Sequence, residues 1–181
     1  MPQGTAAGIK AIPMGDIGPA RALNVAALPI TVGVGAFLER DGRLLVVKRT
    51  YGAIKGLWSI PSGYVEPHES VLMTLEREVQ EETGIVGRAG DLLGVRNRVT
   101  REVNDTFLIF RMAYMSGEPR PDANEVSAAA FVPLDELRTS PDSAPFTRAA
   151  IEKFLRADGM HLDPYRPPGP QQEGDFYLLF R

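Results

Sequence analysis

Residues 63–85 read GYVEPHESVLMTLEREVQEETGI. Val71, Leu72, Leu75 and Val79 recur at helical spacing, which predicts one amphipathic helix. Ser70 before this set is a favourable N-cap, and Gly84 after it a favourable C-terminal stop. The helix is therefore expected over residues 70–83. At about 100° per residue, with Glu78 set to zero, Glu82 falls near roughly +40° and Glu81 near roughly −60°. The apolar positions Val71, Leu75, Val79 and Leu72 fall between roughly +20° and +120°. Glu78 and Glu82 thus overlap the edge of the stripe that packs into a core. Carboxylates gathered at such an edge repel each other and lose hydration, so they need a counter-charge. A hard divalent cation such as Mg²⁺, which takes oxygen ligands and keeps places for substrate phosphates, would supply it. The plain alternative for an E-x-x-E-E helix is a solvated acidic face.

The flanks of the helix sharpen the choice. Upstream, ITVGVGAFLE from residue 30 and RLLVVKR from residue 43 read as strands joined at Arg40-Asp41-Gly42-Arg43, where Asp-Gly signals a hairpin turn. Downstream, residues 91–98, 105–115 and 127–134 read as strands. LDEL follows as a short helical turn, and residues 145–157 carry helical spacing at Phe146, Ala150, Ile151, Phe154 and Leu155. Strands interspersed with few helices predict a mixed sheet covered by helices, an α/β or α+β layered domain.

Across its whole length the stretch resembles the Nudix hydrolase signature G-x5-E-x7-R-E-U-x-E-E-x-G-U, where U is a bulky aliphatic residue. The matching positions are Gly63, Glu69, Arg77, Glu78, Val79, Glu81, Glu82, Gly84 and Ile85. Seven fixed letters at about one in twenty each give roughly one chance in 10⁹ per start site. Weaker resemblance extends from about Ile30 to Leu137. The resemblance implies the Nudix fold, an α/β/α sandwich with a mixed β-sheet. It implies hydrolysis of a nucleoside diphosphate linked to another moiety by water, assisted by Mg²⁺ or Mn²⁺. It also implies metal ligation by Glu78, Glu81 and Glu82, with a backbone carbonyl near Ser62 or Gly63 as a further ligand. Arg77 is implied to pair with Glu69 and orient the cluster. The general base in such proteins often lies on a loop before a late strand, which makes Glu125 the candidate; an exposed loop glutamate is the alternative. Ser62 and His68 stand where many relatives have glycine.

Substrate contacts are expected from the surrounding basic and aromatic residues. Lys48 and Arg49 end a strand, so alternation lets at most one of them face the site. Arg96 and Arg98 share a strand face that could meet a diphosphate or a second phosphate, or could simply be a solubilising surface. Tyr51 and Tyr64 are candidate stackers, while Trp58 reads as core. Marks of particular subfamilies are missing: no proline stands about fifteen residues past the box and no tyrosine between 86 and 113. A nucleotide sugar, ADP-ribose or dinucleotide is favoured as substrate over an oxidised nucleoside triphosphate. A module that binds a nucleotide metabolite without turnover is the reading of a different class.

The remaining features bound these expectations. The 181 residues suggest one domain with tails: a flexible segment over 1–28 with a short strand near Leu23–Ala27, a domain over 29–157, and a Pro/Gly-rich extension over 158–181 ending in the strand FYLLF. There are no cysteines, which excludes disulfides, thiolate metal sites and cysteine nucleophiles. A net charge of −3 gives no global field for nucleic acid or an anionic membrane. Neither a signal peptide nor a membrane-spanning run is evident, so a cytoplasmic location is expected. A homodimer is expected that weakens without residues 170–181, the terminal strand suiting either packing on its own chain or exchange.

Overall fold

In ITVGVGAF, alternate residues must point to opposite faces once the chain is extended. The computed structural model describes residues 29–163 and 178–181, and there this segment is strand β1 (Ile30–Phe37). The short strand β2 (Glu39–Arg40) turns into β3 (Arg43–Arg49) through Asp41 and Gly42, both at positive φ (52° and 73°). That is the backbone a two-residue hairpin turn requires, and Gly42 adopts it without cost. Strands β4 (Trp58–Ser59) and β5 (Ser62–Tyr64) lead to helix α1 (Val71–Thr83). Ser70 caps the helix by accepting the Met73 N–H at 3.2 Å, and Gly84 closes it in the left-handed region at φ 70°.

Two long strands follow, β6 (Val86–Val99) and β7 (Asn104–Ser116), then β8 (Val126–Pro133), α2 (Leu134–Thr139) and α3 (Pro145–Phe154). β6 begins well before the expected residue 91, because it pairs with β7 through irregular registers that alternation rules do not anticipate. α3 ends at Phe154 rather than 157. The expected short strand near 23–27 and residues 164–177 of the extension lie outside the described residues. At the end of the chain, β9 (Leu162–Asp163) pairs antiparallel with β10 (Leu179–Phe180), and the Phe180 ring packs 5.6 Å from that of Phe110.

The strands divide between two four-stranded arrangements. One is a mixed sheet in the order β5-β1-β7-β6, with β1 and β7 parallel; in the other, β3 pairs with β2, β4 and β8. The pleat then makes two cores. Val34, Ala36 and Leu45 pack with Leu75 and Val79 of α1, and Val71 and Leu72 border this cluster as the helical stripe predicts. Phe37, Leu44 and Val46 pack with Ala150 and Ile151 of α3 on the other side. Helices thus cover both faces, giving the expected α/β/α layering.

Candidate active site

Glu82 is rigidly held. It projects from the last turn of α1 into the core edge, where its side chain is 5% exposed. The Ser62 N–H donates to its Oε2 at 3.0 Å, and Arg49 Nη2 lies 2.7 Å from its Oε1. That approach is angled so that Oε1, fully buried, accepts no hydrogen bond among the described residues. Burial pushes the Glu82 carboxyl up to about 7, against the pull of Arg49 and the Ser62 N–H. One helical turn earlier, the Glu78 carboxylate lies directly on Gly63. A Cβ at position 63 would sit 2.0 Å from Glu78 Cδ, so any other residue there would push the Glu78 carboxylate off this seat. Burial also raises the Glu78 carboxyl.

Arg77 organises the remaining acids. Its Nε and Nη2 reach the two oxygens of Glu69 at 2.8 and 2.9 Å, a bidentate pair that holds Glu69 below the usual carboxylate range. Its Nη1 reaches Glu78 Oε1 at 3.0 Å and Glu81 Oε2 at 2.9 Å. Glu81 is 61% exposed, on the side of the helix away from the apolar stripe, and shares Arg77 Nη1 with Glu78. Among the described residues no group of three acidic or histidine side chains is arranged to hold an ion alone.

Glu78 opens onto a cavity of about 720 Å³ between the mixed sheet and the start of α3. Arg49 faces into it, and its Nη2 donates to the Ser62 carbonyl and, at 3.1 Å, to Ser62 Oγ. Arg49 Nη1 donates to the Tyr51 hydroxyl at 3.1 Å, and that hydroxyl donates to Glu125 Oε2, also at 3.1 Å. Glu125 therefore stands at the cavity, linked to the helix carboxylates through Tyr51 and Arg49. Tyr64, 63% exposed, stands at the mouth.

Lys48 and Arg98 are not in the cavity wall. Alternation sends Lys48 to the opposite face of β3, over the Trp58 ring at 4.9 Å and 3.7 Å from Asp142. Arg98 is exposed near the end of β6. Arg96 does line the cavity, but it is paired with Asp105 at 2.7 Å rather than free. Asp105, Phe107 and Phe146 are wall residues that sequence reasoning missed. Alternation marks Asp105 and Phe107 as sharing a face of β7, but only the cross-strand register reveals which face that is.

The family model described as NUDIX domain matches residues 29–154. Nudix hydrolase 8 of Arabidopsis thaliana is 36% identical over 115 residues, 61% of this chain and 31% of that protein. The ADP-ribose pyrophosphatase of Methanocaldococcus jannaschii is 31% identical over 108 residues, 59% of this chain and 63% of that protein. The chain thus spans less than two thirds of the length of these relatives. Among solved structures, the MutT NUDIX hydrolase from Burkholderia pseudomallei superposes with a TM-score of 0.61 at 30% identity, covering 69% of this chain and 98% of that one. No helix of the described residues is long and apolar enough to cross a membrane.

Proposed function

The chain belongs to the Nudix family, and from that premise we propose that it hydrolyses the diphosphate linkage of a nucleoside diphosphate derivative, such as a nucleotide sugar, ADP-ribose or a dinucleotide. The observation that carries this reading is the pairing of Glu78, seated on Gly63 at the cavity, with the buried Glu82, whose Oε1 meets the Arg49 charge but accepts no hydrogen bond among the described residues. The relationship to an ADP-ribose pyrophosphatase supports the choice of a diphosphate over a triphosphate substrate.

The donor set fits Mg²⁺ or Mn²⁺. Such ions are commonly held by one or two carboxylates, with substrate phosphates completing the shell. Glu78 and Glu82, with the Gly63 carbonyl, would hold the ion, and Glu81, which Arg77 holds by Oε2 alone, would complete the set. A bound ion polarises phosphoryl oxygens and acidifies water. The chain's own groups do the rest. Arg77 fixes Glu69 and Glu78. Arg49, already inside the cavity, holds Tyr51, Ser62 and Glu82 in place and adds positive charge beside the phosphates. Glu125 keeps Oε1 available while Tyr51 holds Oε2. In the proposed reaction the water oxygen bonds to phosphorus, the bridging P–O bond breaks, and the water proton passes to Glu125. A nucleoside monophosphate and a phosphorylated second fragment leave.

The test is chromatography of products after incubation with Mg²⁺ or Mn²⁺. The panel holds ADP-ribose, NADH, nucleotide sugars, dinucleoside polyphosphates, and normal and oxidised nucleoside triphosphates. The expected result is release of a nucleoside monophosphate from a diphosphate-linked substrate. Glu82→Gln should slow it by about a hundredfold or more, since the ion's contribution is worth several kcal/mol. A chelator should abolish it. Full turnover in the variant or with chelator would overturn the proposal. Tight binding without turnover across the panel would favour a sensing module.

A further inference from the structure

Four residues form a single row across the mixed sheet. Register pairs Tyr64 of β5 with Gly33 of β1, Gly33 with Phe107 of β7, and Phe107 with Arg96 of β6. Directly paired residues project to the same face, so all four point to the cavity they line. Three interstrand spacings of about 4.8 Å make the row roughly 14 Å long. The Tyr64 end adjoins Gly63 and Glu78, where the diphosphate is placed. The Arg96 end lies a nucleotide's length away.

This far end is a built platform. Gly33 and Gly35 let the Phe107 ring lie against β1; a Cβ at either position would come within 2.9 and 2.6 Å of ring carbons. The Arg96 guanidinium stacks 4.8 Å above the Phe107 ring centre and 5.4 Å from that of Phe146, while the two rings meet edge to face at 5.8 Å. Arg96 remains 41% exposed, so the guanidinium is not enclosed. Its Nε is buried and has no partner among the described residues. Its charge, however, is already answered. Asp105, 6% exposed, takes Arg96 Nη2 on Oδ2 at 2.7 Å and the Thr31 hydroxyl on Oδ1 at 2.8 Å. An anion arriving there would meet a fixed carboxylate in a poorly hydrated wall.

We propose, building on the hydrolase reading, that Arg96, Phe107 and Phe146 select substrates whose far end is a flat, uncharged heterocycle, and that Asp105 keeps this end from accepting a second phosphate. Stacking on a guanidinium and an aromatic edge suits a nucleobase. The expectation that Arg96 binds phosphate is replaced: what the residue contributes is its plane, more than its charge.

Arg96→Lys separates plane from charge, since lysine keeps the cation and loses the stack. The probes are AMP, GMP, CMP, UMP and ribose 5-phosphate, the last carrying the same phosphate and sugar without a base. Binding is followed by titration calorimetry with Mg²⁺, and thermal melting checks the fold of each variant. The wild type is expected to bind at least one nucleotide about tenfold tighter than ribose 5-phosphate, within the usual range for stacking one base. Arg96→Lys should erase that preference while ribose 5-phosphate binds as before. Phe146→Leu should weaken it in the same direction. The inference is overturned if none of the nucleotides outbinds ribose 5-phosphate, or if Arg96→Lys keeps the full preference. Base preference without any hydrolysis would overturn the hydrolase reading alone. Hydrolysis of a nucleotide derivative with an unchanged KM in Arg96→Lys would overturn this inference alone.

Discussion

A single carboxyl group, Glu82, sets the behaviour of the metal-free protein near neutral pH. Its folded-state value of about 7 lies above the ordinary glutamate value of 4.5, chiefly because it is buried. A raised acid stabilises the fold while it is protonated in both states. That contribution is complete below about pH 4.5 and is lost as pH rises through about 7. Glu78 shifts in the same direction and adds to the effect. Glu69 shifts the opposite way, but its contribution is lost only in more acidic solution, outside this window. The chelated protein should therefore melt several degrees lower at pH 8 than at pH 5.5, Glu82 contributing about 2 kcal/mol between these two values. Glu82→Gln should flatten the slope. Mg²⁺ at 100 times its Kd should restore about 2.7 kcal/mol at pH 8 by binding only the folded state. A slope unchanged in the variant would mean that Glu82 is ionised in the fold and that Arg49 outweighs burial.

At the scale of elements, α1 carries both the core stripe and the acids, so the stability of its first turn is shared with the site. Ser70→Ala removes the side-chain acceptor for the Met73 N–H and should cost about 1 kcal/mol. For a domain of this size that is a drop of roughly 2–4 °C in Tm, read by calorimetry. A drop of less than half a degree would show that solvent caps the helix equally well. This helix was legible in the sequence because its signals are local: a cap, a 3.6-residue period and a glycine stop. The hairpin at Asp41-Gly42 was legible for the same reason. The irregular pairing of β6 with β7 was not, because bulges follow from cross-strand packing rather than from the strand's own alternation. The site divides along the same line. Glu69, Arg77, Glu78 and Glu82 fall within one short motif. The row Tyr64–Gly33–Phe107–Arg96 draws on four strands spread over some seventy residues, and only their register aligns it. Asp105 stayed hidden because an aspartate at a strand start reads as a surface residue until Thr31 and Arg96 are seen to enclose it.

At the scale of the whole molecule the open question is how the chain's end contributes. The sequence left the terminal strand two places to pack, on its own chain or exchanged with a second copy. In the structure β10 is satisfied within its own chain. His161 and Arg181 exchange backbone hydrogen bonds at 2.9 and 3.0 Å, Arg181 pairs with Asp163, and Phe180 packs on the buried Phe110. Removing residues 170–181 would uncover Phe110 and one edge of β9. A partly buried aromatic ring is worth about 1–2 kcal/mol, so Tm should fall by roughly 2–6 °C. The concentration dependence of that fall decides between the two arrangements. If β10 packs only on its own chain, the loss is the same at low and high protein concentration, and light scattering gives both forms the same number of subunits. If the strand exchanges, the full-length protein melts higher as concentration rises and the truncated form does not, because assembly stabilises by mass action. In the first outcome the terminal strand closes the core behind β7, on the opposite face of the sheet from the cavity; in the second it joins two subunits.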